Sequence, residues 1–332
     1  MNHFFIALSL IFIANSSFAT VIIQSRIDEG TWKKSQAIYP LKEQKVTLSV
    51  KKTPKAIIRW YQIFPDTSKI YKNANLPWEK NPYQWVGFGK IDYERQELTH
   101  FRNQWEIQPF EKPSNGTSNQ ILSWFKNLSS KTFHEKVGSF WFQVEIEKNG
   151  QIQKSPGIKD SNERGLSPKV FRVSIRNGKG YIGYLTTFFN VPGLFGSTTY
   201  QSRHYIGVDC ADVLVTAYGI WKRKTIKKNY NVAMLVNKLT KLSEFELVNG
   251  QPNKKVLWGK NIRAGDFIAV KYAGARQYQH IGALASDANN NNLLDGNDIV
   301  LHAGPLPLHY SKLNEGYFDG YVAILRASNR SF

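Results

Sequence analysis

Apolar residues recur at every second position through the first half of this chain, but at every third or fourth along the stretch from Cys210 to Leu242. The two periods belong to different elements, so one packing layer cannot serve both halves. Val46, Leu48 and Val50 alternate with Thr47 and Ser49. Phe140, Phe142, Val144 and Ile146 alternate with Trp141, Gln143, Glu145 and Glu147, and Phe171, Val173 and Ile175 with Arg172, Ser174 and Arg176. A period of two marks strands buried on one face. Asn149-Gly150 and Asn177-Gly178 carry hairpin-turn chemistry, since Asn and Gly accept positive φ. Residues 73–83 and 113–119 read as polar loops. For residues 20–180 the expectation is a β-rich accessory domain built as an antiparallel sandwich.

Near residue 180 the pattern changes. Cys210, Val213, Leu214, Ala217 and Trp221 share one helical face, and Asp209 ahead of them is a preferred N-cap. A second helix is predicted over Asn231–Leu242, with Val232, Leu235, Val236, Leu239 and Leu242 on one side. Strand-like runs follow at Phe267–Tyr272, His280–Ala285, Ile299–His302 and Tyr321–Leu325. Residues 181–332 therefore read as an α+β domain with a helix packed on a small antiparallel sheet.

The segment Phe4–Asn15 has the length of a signal-peptide apolar core, too short to span a bilayer, and Ser17-Phe18-Ala19 supplies small residues for cleavage. Export of a mature chain beginning near Thr20, periplasmic or secreted and not integral to the membrane, is the expectation. Lys and Arg number 44 against 25 Asp and Glu, a net charge of +19. Residues 20–180 hold 27 basic and 15 acidic side chains, and residues 181–332 hold 17 and 10. Such an excess favours an anionic neighbour. Without a nucleic-acid motif, and with an export signal, the expected neighbour is an anionic envelope polymer or a membrane surface rather than nucleic acid, and scattered solvated lysines are the rival reading.

Cys210 is the only cysteine among 332 residues, which excludes a disulfide scaffold and a multi-thiolate zinc site. Three readings stand for a lone thiol in an exported chain: a small buried hydrophobe, an intermolecular bridge, or a reactive group. Its place at a predicted helix start favours the reactive group, because helix N-termini stabilise thiolates. A catalytic thiol also needs an imidazole and a group that orients it. His280, His302 and His309 lie downstream. His280 opens one predicted strand and His302 closes the next, so adjacent strands would bring two rings together. Each taken singly also reads as a core histidine.

These stretches resemble the NlpC-type papain-like cysteine peptidases of bacterial cell walls. That family has Asp-Cys-Ser-Gly-Leu-Val at a helix start, Pro-Gly-Asp before a strand, His-Val-Gly-Ile-Tyr, and a later His-Ala. Here the matching runs are Asp209-Cys210-Ala211-Asp212-Val213-Leu214, Ala264-Gly265-Asp266, His280-Ile281-Gly282-Ala283-Leu284 and His302-Ala303. The resemblance covers residues 184–326 and implies Cys210 as nucleophile, His280 as base and His302 as the orienting group. Ala211-Asp212 replaces the family's Ser-Gly, placing a carboxylate within a turn of the thiol, where it opposes ionisation unless paired. The upstream Pro-Tyr-x-Trp-Gly-Gly is matched only by Pro192-Gly193-Leu194-Phe195-Gly196-Ser197. Asp209, Tyr200, Tyr205 and His204 are candidates to shape the oxyanion and substrate region in place of the missing tyrosine.

Between the two histidines lies Asp287-Ala288-Asn289-Asn290-Asn291-Asn292-Leu293-Leu294-Asp295-Gly296-Asn297-Asp298. Set against a twelve-position calcium loop, Asp287, Asn289, Asn291, Asp295 and Asp298 offer side-chain oxygens and Leu293 a carbonyl. Asn292 stands where Gly is usual. The rival reading is a solvated, Asn-rich hairpin loop. A structural Ca²⁺, steadying the strands that carry His280 and His302, is the expectation.

Three functions follow. The first is an exported hydrolase cutting amide bonds in peptidoglycan stem peptides through a thioester on Cys210, with backbone N–H groups at the helix start, Cys210's included, receiving the oxyanion. The second is a thiol-dependent acyltransferase or esterase acting on another envelope or host substrate. The third is a non-catalytic, calcium-stabilised envelope-binding module.

Overall fold

The computed structural model describes residues 20–73, 91–111, 133–161 and 165–332. The expected leader at 1–19, the loop at 113–119 and all but the first residue of the loop at 73–83 lie outside the described residues. The chain is mixed α+β and rich in strand, with a curled antiparallel sheet.

The alternating segments of the first half form β1 (Gln24–Ile27), β2 (Ala37–Ile38), β3 (Val46–Ser49), β4 (Ile57–Pro65), β5 (Ile70–Lys72), β6 (Tyr93–Glu97), β7 (Glu106–Ile107), β8 (Gly138–Lys148), β9 (Gln151–Lys154) and β10 (Phe171–Ile175). One sheet runs β2-β10-β8-β4-β6 with β9 on β8, and a smaller one runs β1-β3-β7. Leu48 and Ile107 of the small sheet and Ile58, Trp60, Phe142, Val144 and Val173 of the large one share a buried core. All but the β2–β10 pairing in these sheets are antiparallel. Asn149 and Gly150 turn β8 into β9 with φ of 51° and 73°, as a tight hairpin requires. Asn177-Gly178 does not make the hairpin expected of it. The chain instead enters a short helix, α1 (Tyr181–Leu185).

The second half continues with β11 (Gly193–Phe195), α2 (Thr199–Arg203), α3 (Cys210–Trp221), α4 (Val232–Lys238), β12 (Thr240–Val248), β13 (Gln251–Pro252), β14 (Phe267–Lys271), β15 (His280–Ser286), β16 (Ile299–His302), β17 (His309–Lys312) and β18 (Gly320–Arg326). Its sheet has the order β13-β12-β18-β14-β15-β16-β17, with every neighbour antiparallel. The second helix ends at Lys238, short of the expected Leu242. From Thr240 the backbone pairs with Arg326 of β18, and this ladder overrides the apolar periodicity. On α3, Val213, Leu214 and Ala217 are fully buried against Phe267, Ala269, Ile281 and Ala283 of the sheet. Burying each Val or Leu side chain stabilises by roughly 1.5–3 kcal/mol. The sheet's other face packs Leu284, Val300, Phe318 and Ile324 into a separate core.

The two halves are joined. Ile63, Trp141, Leu166 and Val170 from the first half lie in the same buried cluster as α3. β5 pairs in parallel with β11, and Ser139 N–H donates to the Phe189 carbonyl at 3.0 Å. Among the described residues no helix is long and apolar enough to cross a membrane.

Candidate active site

Cys210 is the first residue of α3. Asp209 caps the helix with extended backbone, its carboxylate accepting the N–H of Cys210 at 2.7 Å and that of Gly196 at 2.7 Å. The cap is of the expected kind and is worth about 1 kcal/mol to the helix. It also corrects one expectation: the Cys210 N–H is taken by Asp209 and does not face an incoming oxyanion. Ala211 N–H is the first-turn amide that has no partner among the described residues.

Asp212 is 3% exposed and is held by Ser197 Oγ at 2.5 Å and by Ser202 Oγ. The loop at Gly196-Ser197, where the family's aromatic motif is only partly kept, is thereby fastened to the helix start twice. Burial, with Asp209 beside it, raises Asp212 to about 7. The thiol is affected in turn. Burial, then the carboxylates of Asp209 and Asp212, push Cys210 well above its usual range. The expected depression by the helix terminus is reversed, because two nearby carboxylates and low solvation outweigh a partial positive charge.

His280 begins β15 and His302 ends β16, and the structure brings their rings together as the spacing suggests. His280 Nε2 and His302 Nδ1 are 2.9 Å apart, and His302 Nε2 lies 2.8 Å from Ser311 Oγ. This chain uses both nitrogens of His302 and leaves Nδ1 of His280 without a hydrogen bond among the described residues. Gly282 permits the approach: a Cβ there would come within 2.6 Å of Val300 Cγ1 and 3.0 Å of His302 Cβ. Phe318 packs on both rings, at 5.1 Å and 5.2 Å between centroids. Burial lowers His280 to about 4, aided by His309, and drives His302 well below its usual value. Both imidazoles are neutral at neutral pH.

Helix and strands meet in one buried cluster. The β15–β16 ladder begins at Ala283 opposite Leu301, and Cys210 packs against the buried cluster that holds Ile281, the residue after His280. The helix start therefore shares its core with the strand that carries His280.

The other candidates scatter. Tyr205 is 2% exposed, stacks on Phe188 at 4.4 Å, lies beneath the Arg172 guanidinium and bonds Thr187 Oγ1 at 2.8 Å. It is a core tyrosine, which removes it from the oxyanion candidates. Tyr200 is exposed on α2, edge-on to His204 at 4.5 Å. His204 is half-buried at the end of α2, lowered by burial and by Arg203. Asp209, an acceptor twice over, orders the backbone and gives no proton to an oxyanion.

Two contributors, Ser311 and Tyr272, escaped the sequence, and a third, His309, was seen there only as a downstream histidine without a role. Ser311 and His309 are buried on one side of β17 while Tyr310 and Lys312 face out, an alternation visible in His309-Tyr310-Ser311-Lys312. The ring of His309 lies 4.3 Å from that of His302. Tyr272, just past β14, is raised to about 12 by burial and then by Cys210, and its hydroxyl donates to the Tyr317 carbonyl at 2.9 Å.

The Asn-rich loop joins β15 to β16 as expected. Asn292 takes φ 62° at the position where Gly is usual. Asn289 Nδ2 and Asn291 Nδ2 both donate to Asp295 Oδ2, at 2.9 and 2.6 Å, and Asp287 accepts the N–H groups of Asn291 and Asn292. Leu293 N–H donates to Asn291 Oδ1 at 2.6 Å, and Leu294 is buried in the core below. Asp298 is fully buried and accepts from Trp258 Nε1 at 2.8 Å and Asp295 N–H at 3.0 Å. The side chains of Asp287, Asn289, Asn291 and Asp295 thus turn into the loop. Rotating either amide by half a turn would exchange its NH₂ for an oxygen. Among the described residues no three His, Cys, Asp or Glu converge as metal ligands, and half the side-chain donors of this inward set are amides.

No family model, curated protein or solved structure matches this chain. The resemblance to the NlpC-type peptidases rests on the residues alone.

Proposed function

We propose that this protein is an exported cysteine hydrolase of papain-like, NlpC-type arrangement, cutting amide bonds in peptidoglycan stem peptides. The observation that carries the reading is the polarised chain Ser311–His302–His280, which ends on an open Nδ1, with Cys210 packed against the cluster that holds the next residue, Ile281. If His302 Nε2–H donates to Ser311 and His280 Nε2–H donates to His302, Nδ1 of His280 carries the lone pair. That nitrogen takes the thiol proton as sulfur attacks the scissile carbonyl, and returns it to the leaving amine. Water then opens the thioester, with His280 again as base.

A neutral thiol beside a neutral imidazole makes this general-base catalysis rather than attack by a preformed ion pair. Ala211 N–H is the backbone donor left for the oxyanion, in the place first expected of Cys210. The positive first half keeps the enzyme near its anionic substrate. Ca²⁺ bound by Asp287, Asn289, Asn291, Asp295 and the Leu293 carbonyl, with Asp298 closing the loop, would brace β15 against β16.

The experiment is digestion of purified sacculi, following new amino groups. The full chain releases them and Cys210→Ala, folded by its melting curve, does not. Equal release by both proteins refutes the nucleophile. One observation favours a second reading: the elevated thiol suits an inert, envelope-binding module. That reading requires no release from sacculi together with retention of the protein on them.

A further inference from the structure

The C-terminal end of α3 lies about 16 Å along the helix axis from Cys210. A cavity of about 910 Å³ opens there between the helix, the start of β12, the loop before β14 and the residues after β18. That volume falls within the range of small-molecule and oligomer sites. Its charge is one-sided. Three basic side chains line it, Lys222, Arg263 and Arg326, against one acidic one. The only carboxylate lining the cavity, Asp266, is neutralised by Arg326 through two contacts of 2.7 Å.

Lys222 and Arg263 line it too, and neither forms an ion pair among the described residues. Lys222 holds its ammonium 3.7 Å from the Trp221 ring centroid, which fixes the cation at the cavity without neutralising it. The remaining wall mixes the aromatic rings of Trp221 and Tyr218 with the neutral hydrogen-bonding side chains of Thr240 and Asn329. Two spaced cations, aromatic surface and neutral donors and acceptors fit a hydroxyl-bearing chain whose carboxylates stand one sugar ring apart. They fit poorly a polyphosphate, whose more closely spaced charges call for a denser array of cations.

We infer that this cavity binds a segment of acidic saccharide, a second site that holds polymer at the far end of the helix from the thiol. It stands apart from the cysteine reading, since nothing in it depends on Cys210.

The test is calorimetric titration of the full chain with tetragalacturonate, its methyl ester, and inorganic polyphosphate. Tetragalacturonate should bind, the ester at least tenfold more weakly. Lys222→Glu with Arg263→Glu should weaken binding at least tenfold, while the same charge change at the exposed Lys33 and Lys148 should not. Absence of binding, equal loss in the control pair, or polyphosphate binding as tightly as the saccharide would each overturn the inference.

Discussion

Replacing Asp212 with Asn removes the buried carboxylate that most plainly departs from the family pattern. Because Asp212 is raised only to about 7, it is ionised wherever the thiol titrates. A like charge a few ångströms away shifts a titration by about 1–3 units, and the Ser197 and Ser202 hydroxyls disperse this one, so the lower end applies. Asp212→Asn should therefore lower the Cys210 midpoint by about one unit, or ~1.4 kcal/mol, leaving the burial contribution in place. The assay is the rate of alkylation by iodoacetamide, followed from about pH 6 to about pH 11. Stability gives a second readout with a definite sign. The folded-state pKa of about 7 exceeds the ordinary 3.8, so the stabilisation is complete below about pH 4 and is lost as pH rises through about 7. A shift of about three units amounts to ~4 kcal/mol. Asp212→Asn should abolish that loss, and histidine contributions cancel in the difference between variant and parent. An alkylation midpoint that stays put or rises would refute the electrostatic argument.

Three other outcomes follow from the same geometry. Ser311→Ala leaves His302 Nε2 buried without its 2.8 Å partner. It should lower kcat about tenfold with KM unchanged, in steady-state kinetics, because the loss is worth about 1–3 kcal/mol. His134 and His280 are both lowered to about 4 by burial, so their contribution is present above about pH 6.5 and is lost as pH falls through about 4. His134→Phe, which retains the stack on Phe189, should lessen the acid loss by about 1–2 kcal/mol in urea titrations. Removing Ca²⁺ with EDTA should lower the melting temperature, an effect equal to about 2.7 kcal/mol when free ion stands a hundredfold above Kd. An unchanged melting curve would argue for a loop held by its own hydrogen bonds.

Helix α3, its Asp209 cap and the strands bearing His280 and His302 were legible because each rests on local spacing: apolar residues on one face, a capping carboxylate, short apolar runs. The pairing of the two rings followed from that spacing, while the role of Gly282 in letting them approach shows only in the fold. What was not legible depends on residues distant in sequence. Thr240–Leu242 fit the helical pattern of α4, yet pairing with β18 decided their conformation. Ser311 carries no chemical signature until β17 sets it beside His302. The thiol's environment also came out opposite to expectation, because the helix start was legible but the burial of the thiol beside the carboxylates of Asp209 and Asp212 was not. Tyr205 looked available for catalysis and proved to be core, since its ring fills the space between Phe188 and Arg172.

The nucleophile is tested most directly by intact-mass spectrometry of the full chain, acid-quenched moments after mixing with muropeptides. A hydroxylamine-labile adduct of one acyl fragment, mapped to Cys210 and missing from Cys210→Ala, is the expected result. Turnover with no such adduct, or turnover that survives loss of the sulfur, would contradict the account.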